Sequence, residues 1–219
     1  MEATNTPTER AQTGARIDEL APDFEARSTH GHIRLSDYTG KWLVFFSHPA
    51  DFTPVCTSEF VSLQNAIDRF ESLNCKLLGL SIDSLFSHIA WVKDLEQRFN
   101  VTITFPIVED ISMVIARAYG MIHDASMTTA TVRSVFFIDP DRYIRAIIHY
   151  PMNVGRSVEE IIRVISALQE SDANEVATPE GWLPGQEPLL PPPADLAEAG
   201  MRENQKGGAW YLTPVSKDL

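Results

Sequence analysis

Short apolar runs recur along the chain with the length of strands that are buried on both faces. Three of them are residues 42–47 (WLVFFS), 77–82 (LLGLSI) and 132–138 (VRSVFFI). Residues 144–150 follow the turn-forming tripeptide Asp139-Pro140-Asp141, which predicts a hairpin with the run before it. Residues 101–108 are also strand-like, but Pro106 favours an edge strand or a loop.

Apolar residues at helical spacing lie between these runs. The first stripe contains Phe60, Leu63, Ile67 and Phe70, and the second contains Leu85, Ile89, Val92, Leu95 and Phe99. Thr53 as N-cap and Pro54 at the first helical position mark where the first helix begins, and Asp83 or Ser84 can cap the second. Strands that alternate with helices and end in a hairpin predict an α/β fold with a mixed central sheet flanked by helices. This order of elements resembles a thioredoxin-like fold.

The composition changes at both ends of this pattern. Residues 1–16 are polar and lack periodicity, which predicts a flexible N-terminal arm. Residues 17–174 hold the predicted strands and helices and form one thioredoxin-like domain in this interpretation. Residues 175–219 include six prolines between positions 179 and 193, and such a segment cannot build a core alone. We therefore expect a C-terminal arm that packs on the domain or on a partner subunit.

Charge and cysteine content narrow the class of protein. The 219 residues include 18 Lys and Arg against 30 Asp and Glu, so the formal net charge is −12. A net negative chain argues against non-specific binding to nucleic acid or to anionic membranes. No apolar run approaches the ~20 residues that span a bilayer, and the polar N-terminus lacks the apolar centre of a secretory signal. The two cysteines form no disulfide framework, so we expect a cytoplasmic protein.

The segment 47–57 (SHPADFTPVCT) carries the candidate chemistry. It places Cys56 in the first turn of the predicted helix, where unpaired N–H groups stabilise a thiolate, the nucleophilic form of cysteine. Thr53, one turn earlier, can place a hydroxyl against a peroxide, and Pro49 can cover the sulfur without offering an N–H donor. His48 adds a polar group at the end of the strand. This combination favours catalysis over a merely structural thiol.

The spacing Pro49-x-x-x-Thr53-x-x-Cys56 resembles the active-site signature of peroxiredoxins (the AhpC/TSA superfamily), and of their one-cysteine branch in particular. The segments LGLSIDS, HIAW, FPIVED, VFFIDP and ATPEGW resemble family segments in the same order, between residues 17 and 215. The resemblance implies a thiol-dependent peroxidase that reduces hydrogen peroxide and organic hydroperoxides through a sulfenic acid on Cys56. It also implies that Thr53 and Pro49 shape the peroxide pocket and that Arg133 contacts thiolate and substrate.

The resolving cysteine of two-cysteine relatives is missing from the expected positions. Position 61 is Val61, no cysteine follows Cys75, and Cys75 lies beside a strand core, where an inert buried thiol is expected. The sulfenic acid must then react with an external thiol, such as thioredoxin or glutathione. The resemblance further implies antioxidant defence and redox homeostasis as the role. It also implies a homodimer or larger homo-oligomer, whose C-terminal arm reaches toward the active site of the partner.

Several other interpretations of the same residues stay open. Glu59, one turn after Cys56, lies either on a solvated face or where it orients an arginine. Oxidation of Cys56 could instead switch the assembly of a holdase or a signalling protein. A disulfide oxidoreductase would need Cys-x-x-Cys, and an acyl hydrolase would need a Gly-x-Ser-x-Gly elbow, which residues 34–41 lack. His30 and His32 have no ligand cluster around them, so neither a metal nor another cofactor is predicted.

Overall fold

The computed structural model describes residues 14–122, 129–206 and 209–215. It divides the chain into two compact units, Met1–Arg156 and Ser157–Leu219, and each is considered by itself. Within these described residues, no helix combines the length and the hydropathy needed to cross a bilayer. The bounds expected for the N-terminal arm, the domain and the C-terminal arm stay a prediction.

A seven-stranded mixed sheet forms the centre of the first unit. Its strands are β1 (Glu25–Ser28), β2 (Gly31–Arg34), β3 (Trp42–Ser47), β4 (Cys75–Ser81), β5 (Ile107–Glu109), β6 (Arg133–Ile138) and β7 (Ile144–Tyr150). The spatial order is β2-β1-β5-β4-β3-β6-β7. β4 runs parallel to β3 and β5, whereas the β3–β6, β6–β7, β1–β5 and β1–β2 pairs are antiparallel. The predicted mixed sheet and the predicted β6–β7 hairpin are confirmed.

Aromatic side chains on both faces of β3 hold the sheet to its neighbours. Phe45 packs edge-to-face against Tyr119 at a centroid distance of 4.9 Å, and Tyr119 packs on Phe136 at 5.1 Å. Phe46, which points to the opposite face, packs against Phe60 of the following helix at 5.5 Å. The helix that carries Cys56 is therefore anchored on the sheet next to the end of β3.

The predicted helix over the first apolar stripe is two helices in the structure. α1 spans Pro54–Asn65 and α2 spans Ile67–Ser72, and the break lies at Ala66, with φ −98° and ψ 7°. Phe60, Leu63 and Phe70 are nevertheless buried as predicted. After the break, the chain continues through α2 to β4. The spacing of apolar residues alone does not predict such a break.

Helix α3 (Leu85–Phe99) begins as predicted but buries a different face. Ser84 is its N-cap, and the Ser84 hydroxyl accepts a hydrogen bond from the Ser87 amide. The buried residues are His88, Trp91 and Leu95, whereas Ile89 and Phe99 are 37% and 51% exposed. The prediction of a stripe through Ile89 and Phe99 is wrong because a hydrogen-bonded histidine and a tryptophan take the inward positions.

Helix α4 is short. It spans Val114–Ala118 and begins four residues after Asp110. The Asp110 carboxylate is buried and accepts a hydrogen bond from the Ala116 amide at 2.7 Å. Asp110 therefore supports the helix without belonging to it.

In its described residues, the second unit has two helices and an extended segment between them. The helices are α5 (Val158–Asn174) and α6 (Leu196–Lys206). Ser157 is the N-cap of α5, where its hydroxyl accepts from the Glu160 amide at 3.3 Å. Isolated bridges pair Leu189, between the helices, with Ala177 and with Pro214, which follows α6. The proline-rich segment is thus held by backbone pairing and not by a core of its own.

Candidate active site

Cys56 lies in the first turn of α1, as the sequence predicts, and its side chain is fully buried. Thr53 is the N-cap, in extended backbone conformation, and Pro54 is the first helical residue. The Thr53 hydroxyl does not cap the helix. It donates instead to the Ala50 carbonyl oxygen at 2.9 Å. The hydroxyl proton is thereby engaged, while the oxygen lone pairs stay available to accept a proton donor.

Arg133 brings a guanidinium to the sulfur of Cys56. It is the first residue of β6, it is buried, and its Nη1 lies 3.3 Å from Cys56 Sγ. Nε and Nη2 both donate to the Met152 carbonyl oxygen, at 2.9 and 2.7 Å, which fixes the plane of the guanidinium. The structure therefore places in contact the two residues that the resemblance implies should meet.

Glu59 connects Arg133 to a second arginine that sequence reasoning missed. The Glu59 carboxylate accepts from Arg133 Nη1 at 2.8 Å, and from Arg156 Nε and Nη2 at 2.9 and 2.7 Å. Burial alone would raise the pKa of Glu59, but the hydrogen bonds and charge of Arg156, together with the charge of Arg133, lower it. Of the two interpretations left open for Glu59, the structure supports the one in which it orients arginines.

The Arg156 guanidinium is held by several hydrogen bonds and by a contact with an aromatic ring. Besides Glu59, it donates from Nη1 to the carbonyl oxygens of Ser47 and Ser134, at 2.8 and 2.9 Å, and its guanidinium lies 5.2 Å from the Phe46 ring centroid. The only sequence signal for this residue was a charged side chain directly after the loop that follows β7. Such a signal does not distinguish a buried arginine from an exposed one.

The ionised groups around the sulfur leave an excess of positive charge. Arg133 and Arg156 carry two positive charges and Glu59 one negative charge, so the buried cluster has a net charge of about +1 without the cysteine. An anionic sulfur balances that charge, and a neutral thiol does not. The site is therefore arranged for a thiolate, or for an anion that develops next to it.

His48 and Pro49 follow β3 and are buried, and His48 is hydrogen-bonded to Leu80 and Asp51. Its amide donates to the Leu80 carbonyl oxygen at 2.9 Å, and its Nε2 lies 2.8 Å from Asp51 Oδ1. Burial lowers the pKa of His48, against the opposing effect of Asp51. Within the described ranges, His48 Nδ1 has no hydrogen-bond partner.

One group of metal-ligating side chains occurs among the described residues: His48, Asp51 and His88. The three donor atoms lie within 4.8 Å of one another, and all three residues are buried. His30 and His32, in contrast, lie on the β1–β2 hairpin, where His32 faces Glu25 at 3.6 Å and His30 contacts Thr29. In the described part of the chain, the hairpin pair thus belongs to no ligand cluster.

Cys75 is the first residue of β4 and is buried. Burial raises the pKa of its thiol to about 12. A thiol that ionises so reluctantly is a poor nucleophile. These properties match the inert thiol that the sequence predicts.

Comparison with known proteins agrees with this geometry. The model of the AhpC/TSA family matches residues 17–147, and the model of the C-terminal domain of 1-Cys peroxiredoxin matches residues 167–208. A peroxiredoxin of Thermoplasma volcanium is 48% identical over 197 residues, 90% of this chain and 96% of the relative. A peroxiredoxin of Aquifex aeolicus is 44% identical over 210 residues, 90% of this chain and 95% of the relative.

Two solved structures share the fold over nearly the whole chain. Yeast mitochondrial 1-Cys peroxiredoxin, solved in a study of thiol resolution through the glutathione and thioredoxin systems, has a TM-score of 0.81 at 39% identity. The match covers 91% of this chain and 99% of the yeast chain. A cysteine-to-serine mutant of peroxiredoxin 6 of Arenicola marina has a TM-score of 0.81 at 34% identity, over 94% and 100% of the two chains.

The fold and the buried cysteine–arginine site define a thiol-dependent peroxidase of the thioredoxin-like class. The chain belongs to the AhpC/TSA family, with the C-terminal domain of 1-Cys peroxiredoxins. It reduces peroxides through a cysteine that a thiol restores. The predicted family, fold and activity are confirmed.

Proposed function

We propose that Cys56 is the nucleophile of this peroxidase and that Arg133, Thr53 and Pro49 prepare its site. The observation that carries the assignment is the 3.3 Å contact between Arg133 Nη1 and Cys56 Sγ at the start of a helix. Both a guanidinium and helix N–H groups favour negative charge on the sulfur. Of the two cysteines, only Cys56 has such surroundings, since Cys75 lies in the sheet with a raised pKa.

The geometry supports a direct displacement. The Cys56 thiolate attacks one peroxide oxygen, so that the S–O bond forms while the O–O bond breaks. The sulfur is oxidised to a sulfenic acid, and the peroxide is reduced to an alkoxide or hydroxide, which takes a proton from solvent and leaves as alcohol or water. Arg133 stabilises the charge as it moves from sulfur to the leaving oxygen.

Thr53, Pro49 and His48 have supporting roles in this proposal. Because the Thr53 proton is engaged by the Ala50 carbonyl, the Thr53 oxygen is set to accept the O–H of the incoming peroxide. Pro49 is buried beside the loop and offers no N–H that would compete for the sulfur. His48 is a further substrate-binding residue in this proposal, since its Nδ1, which is unpaired among the described residues, can accept a hydrogen bond.

The decisive test is peroxide consumption by the Cys56→Ser variant. We expect turnover to fall to the background level because serine is not ionised at neutral pH and cannot form a sulfenic acid. Cys75→Ser is the matched control, and it should keep the wild-type rate. Wild-type turnover in Cys56→Ser would refute the assignment, and loss of turnover in Cys75→Ser would point to an internal disulfide.

The reductant in this proposal is an external thiol, such as thioredoxin, glutathione or a similar compound. The yeast relative is described as resolving its thiol through the glutathione and thioredoxin systems, which supports the same chemistry here. Supplying each thiol in turn to the oxidised protein, and following several turnovers, identifies the one that supports the cycle. If none of the thiols sustains more than one turnover, external resolution by these compounds is wrong.

We further propose a cytoplasmic homodimer or larger homo-oligomer, without nucleic-acid or membrane partners. The second unit supports assembly, because Leu196, Met201 and Tyr211 are 92%, 59% and 71% exposed within a single chain. The prokaryotic sources of the relatives support the cytoplasm. Sedimentation of the reduced protein tests the assembly, and a monomer at micromolar concentration would contradict it.

A further inference from the structure

An apolar groove lies beside the candidate active site, between α1 and α3. Its volume is about 560 Å³, within the range of about 300–1,000 Å³ that is usual for small-molecule sites. Thr53, whose hydroxyl we assign to the incoming peroxide, lines this groove. Most of the other side chains that line it are apolar or aromatic: Phe52, Pro54, Val61, Trp91, Leu95 and Phe99. The groove is thus continuous with the proposed peroxide site.

The two helices present regularly spaced residues to the groove. Thr53 and Val61 are eight residues apart, which places them on nearly the same face, separated by about 12 Å along the helix axis. Trp91 and Phe99 repeat this spacing on α3. An organic group that starts at Thr53 therefore meets apolar side chains over the length of about two helical turns.

Phe52 holds an aromatic ring at the Thr53 end of the groove in an unusual backbone conformation. Its φ is 55°, in the left-handed region that residues other than glycine rarely adopt. Its side chain is 56% exposed, and its ring centroid lies 6.5 Å from that of the buried Trp91. Backbone strain of this kind tends to occur at functional sites. An exposed ring held there is suited to contact a ligand that reaches Thr53.

The side chains that line the groove carry no net charge. Its two charged residues pair with each other, since Arg98 Nε donates to Asp94 Oδ1 at 2.7 Å. The other residues that line it are neutral. An anionic ligand would lose hydration here without gaining a free cationic partner, whereas an uncharged hydrocarbon or aromatic group gains by leaving water.

We propose that this groove binds the uncharged organic group of an alkyl or aromatic hydroperoxide while its O–O bond lies at Thr53 and Cys56. The proposal rests on Cys56 being the nucleophile and names the substrate class of that site. The thiolate takes the terminal peroxide oxygen as the O–O bond breaks, and the alkoxide takes a proton from solvent and leaves as an alcohol. Contacts in the groove add binding energy that hydrogen peroxide cannot use.

The Val61→Trp variant tests the groove by filling it. Val61 is only partly buried, so a larger side chain can extend into the groove. Stopped-flow kinetics give the rate constants for oxidation of the reduced protein by cumene hydroperoxide and by hydrogen peroxide. We expect the ratio of the first to the second to fall at least about tenfold, because only the aromatic substrate loses contacts. An unchanged ratio would refute the groove as a binding site for the organic group.

Val114→Trp is the matched control. Val114 is 67% exposed at the start of α4 and does not line the groove, so the same substitution there should leave the ratio unchanged. Phe99→Ala gives a second test if Val61→Trp does not fold, because the Phe99 ring is 51% exposed and its loss disturbs the core little. It should lower the ratio by about threefold to tenfold, and an unchanged ratio would again contradict the proposal.

Binding of the product alcohol separates the groove from the nucleophile. 2-Phenylpropan-2-ol carries the organic group of cumene hydroperoxide and has no O–O bond. In Cys56→Ser it should shift the indole N–H signal of Trp91, which Trp91→Phe assigns, and Val61→Trp should abolish the shift. If the shift occurs but Cys56→Ser keeps wild-type turnover, the nucleophile is wrong and the groove stands. If the alcohol shifts no groove signal, the groove is wrong and the nucleophile stands.

A second copy of this chain is the competing occupant of the groove. Sedimentation of Val61→Trp and wild type distinguishes the two cases. The proposal expects equal sedimentation coefficients, because the groove holds substrate and not a subunit. Dissociation of Val61→Trp together with an unchanged ratio of rate constants would assign the groove to an interface between copies and overturn the proposal.

Discussion

At the scale of single residues, Glu59 is important both for the stability of the fold and for the position of the arginine that contacts Cys56. It is 4% exposed and accepts hydrogen bonds from two arginines, one of which contacts Cys56 Sγ. We expect Glu59→Gln to lower the free energy of unfolding by about 3–5 kcal/mol, because two buried guanidiniums lose the counter-charge that they share. Urea denaturation measures the change. Glu160→Gln is the control, since its pair with Arg163 is partly exposed to solvent and contributes about 1 kcal/mol or less.

The lowered pKa of Glu59 predicts how the stability of the protein depends on pH. The pKa of Glu59 is lower in the folded protein than its ordinary value, so its contribution is fully present above the unfolded pKa of about 4.3. That contribution is lost as the pH falls through the lowered, folded pKa. The difference in unfolding free energy between wild type and Glu59→Gln should therefore shrink in acid. A difference that stays constant down to pH about 2 would contradict the ionised carboxylate.

At the scale of elements, the sequence predicted the features that depend on the spacing of apolar residues and on helix caps. It missed the features that depend on contacts between residues far apart in sequence. The buried strands β3, β4 and β6 follow from apolar runs, and the start of α1 follows from Thr53 and Pro54. The β1–β2 hairpin was not predicted, because its four-residue strands are short and largely exposed. Which face of α3 is buried depends on the bond from His88 to Asp51, 37 residues away in sequence, so no local pattern encodes it.

The residues of the candidate site fall into the same two groups, those suggested by local spacing and those that depend on long-range contacts. Cys56, Thr53 and Pro49 lie within one continuous segment, so their spacing alone makes them candidates. Arg133 was found only through the resemblance to a family, since an arginine at the start of a strand has no distinctive local pattern. Arg156 was missed because its burial arises from Glu59, Ser47 and Ser134, which come together only in the folded sheet.

The C-terminal end of α5 offers a prediction at this scale. Glu175 caps the helix in the left-handed conformation, with φ 51° and ψ 45°, which disfavours residues other than glycine. Glu175→Gly should therefore raise the free energy of unfolding by about 1 kcal/mol. Glu170→Gly, inside the same helix, should lower it by about 1 kcal/mol. Thermal melts of both variants measure the pair of opposite shifts, and shifts of equal sign would refute the strain at Glu175.

At the scale of the whole molecule, the chain has one candidate nucleophile and no partner thiol suited to it. Both cysteines are buried and free, and burial raises the pKa of the Cys75 thiol to about 12. The oxidised protein therefore depends on chemistry from outside the chain. This dependence separates the mechanism from that of a peroxidase that closes its own disulfide.

A single-turnover experiment tests that dependence. With one equivalent of peroxide and no added thiol, the reduced protein should consume about one peroxide per chain, because one sulfur is oxidised and none can resolve it. Intact mass should show the gain of one oxygen atom, and trapping with dimedone should label Cys56. Cys75→Ser should behave identically. A mass loss of two hydrogens, without added oxygen, would reveal a disulfide between Cys56 and Cys75, and the catalytic cycle would then need no external thiol at its second step.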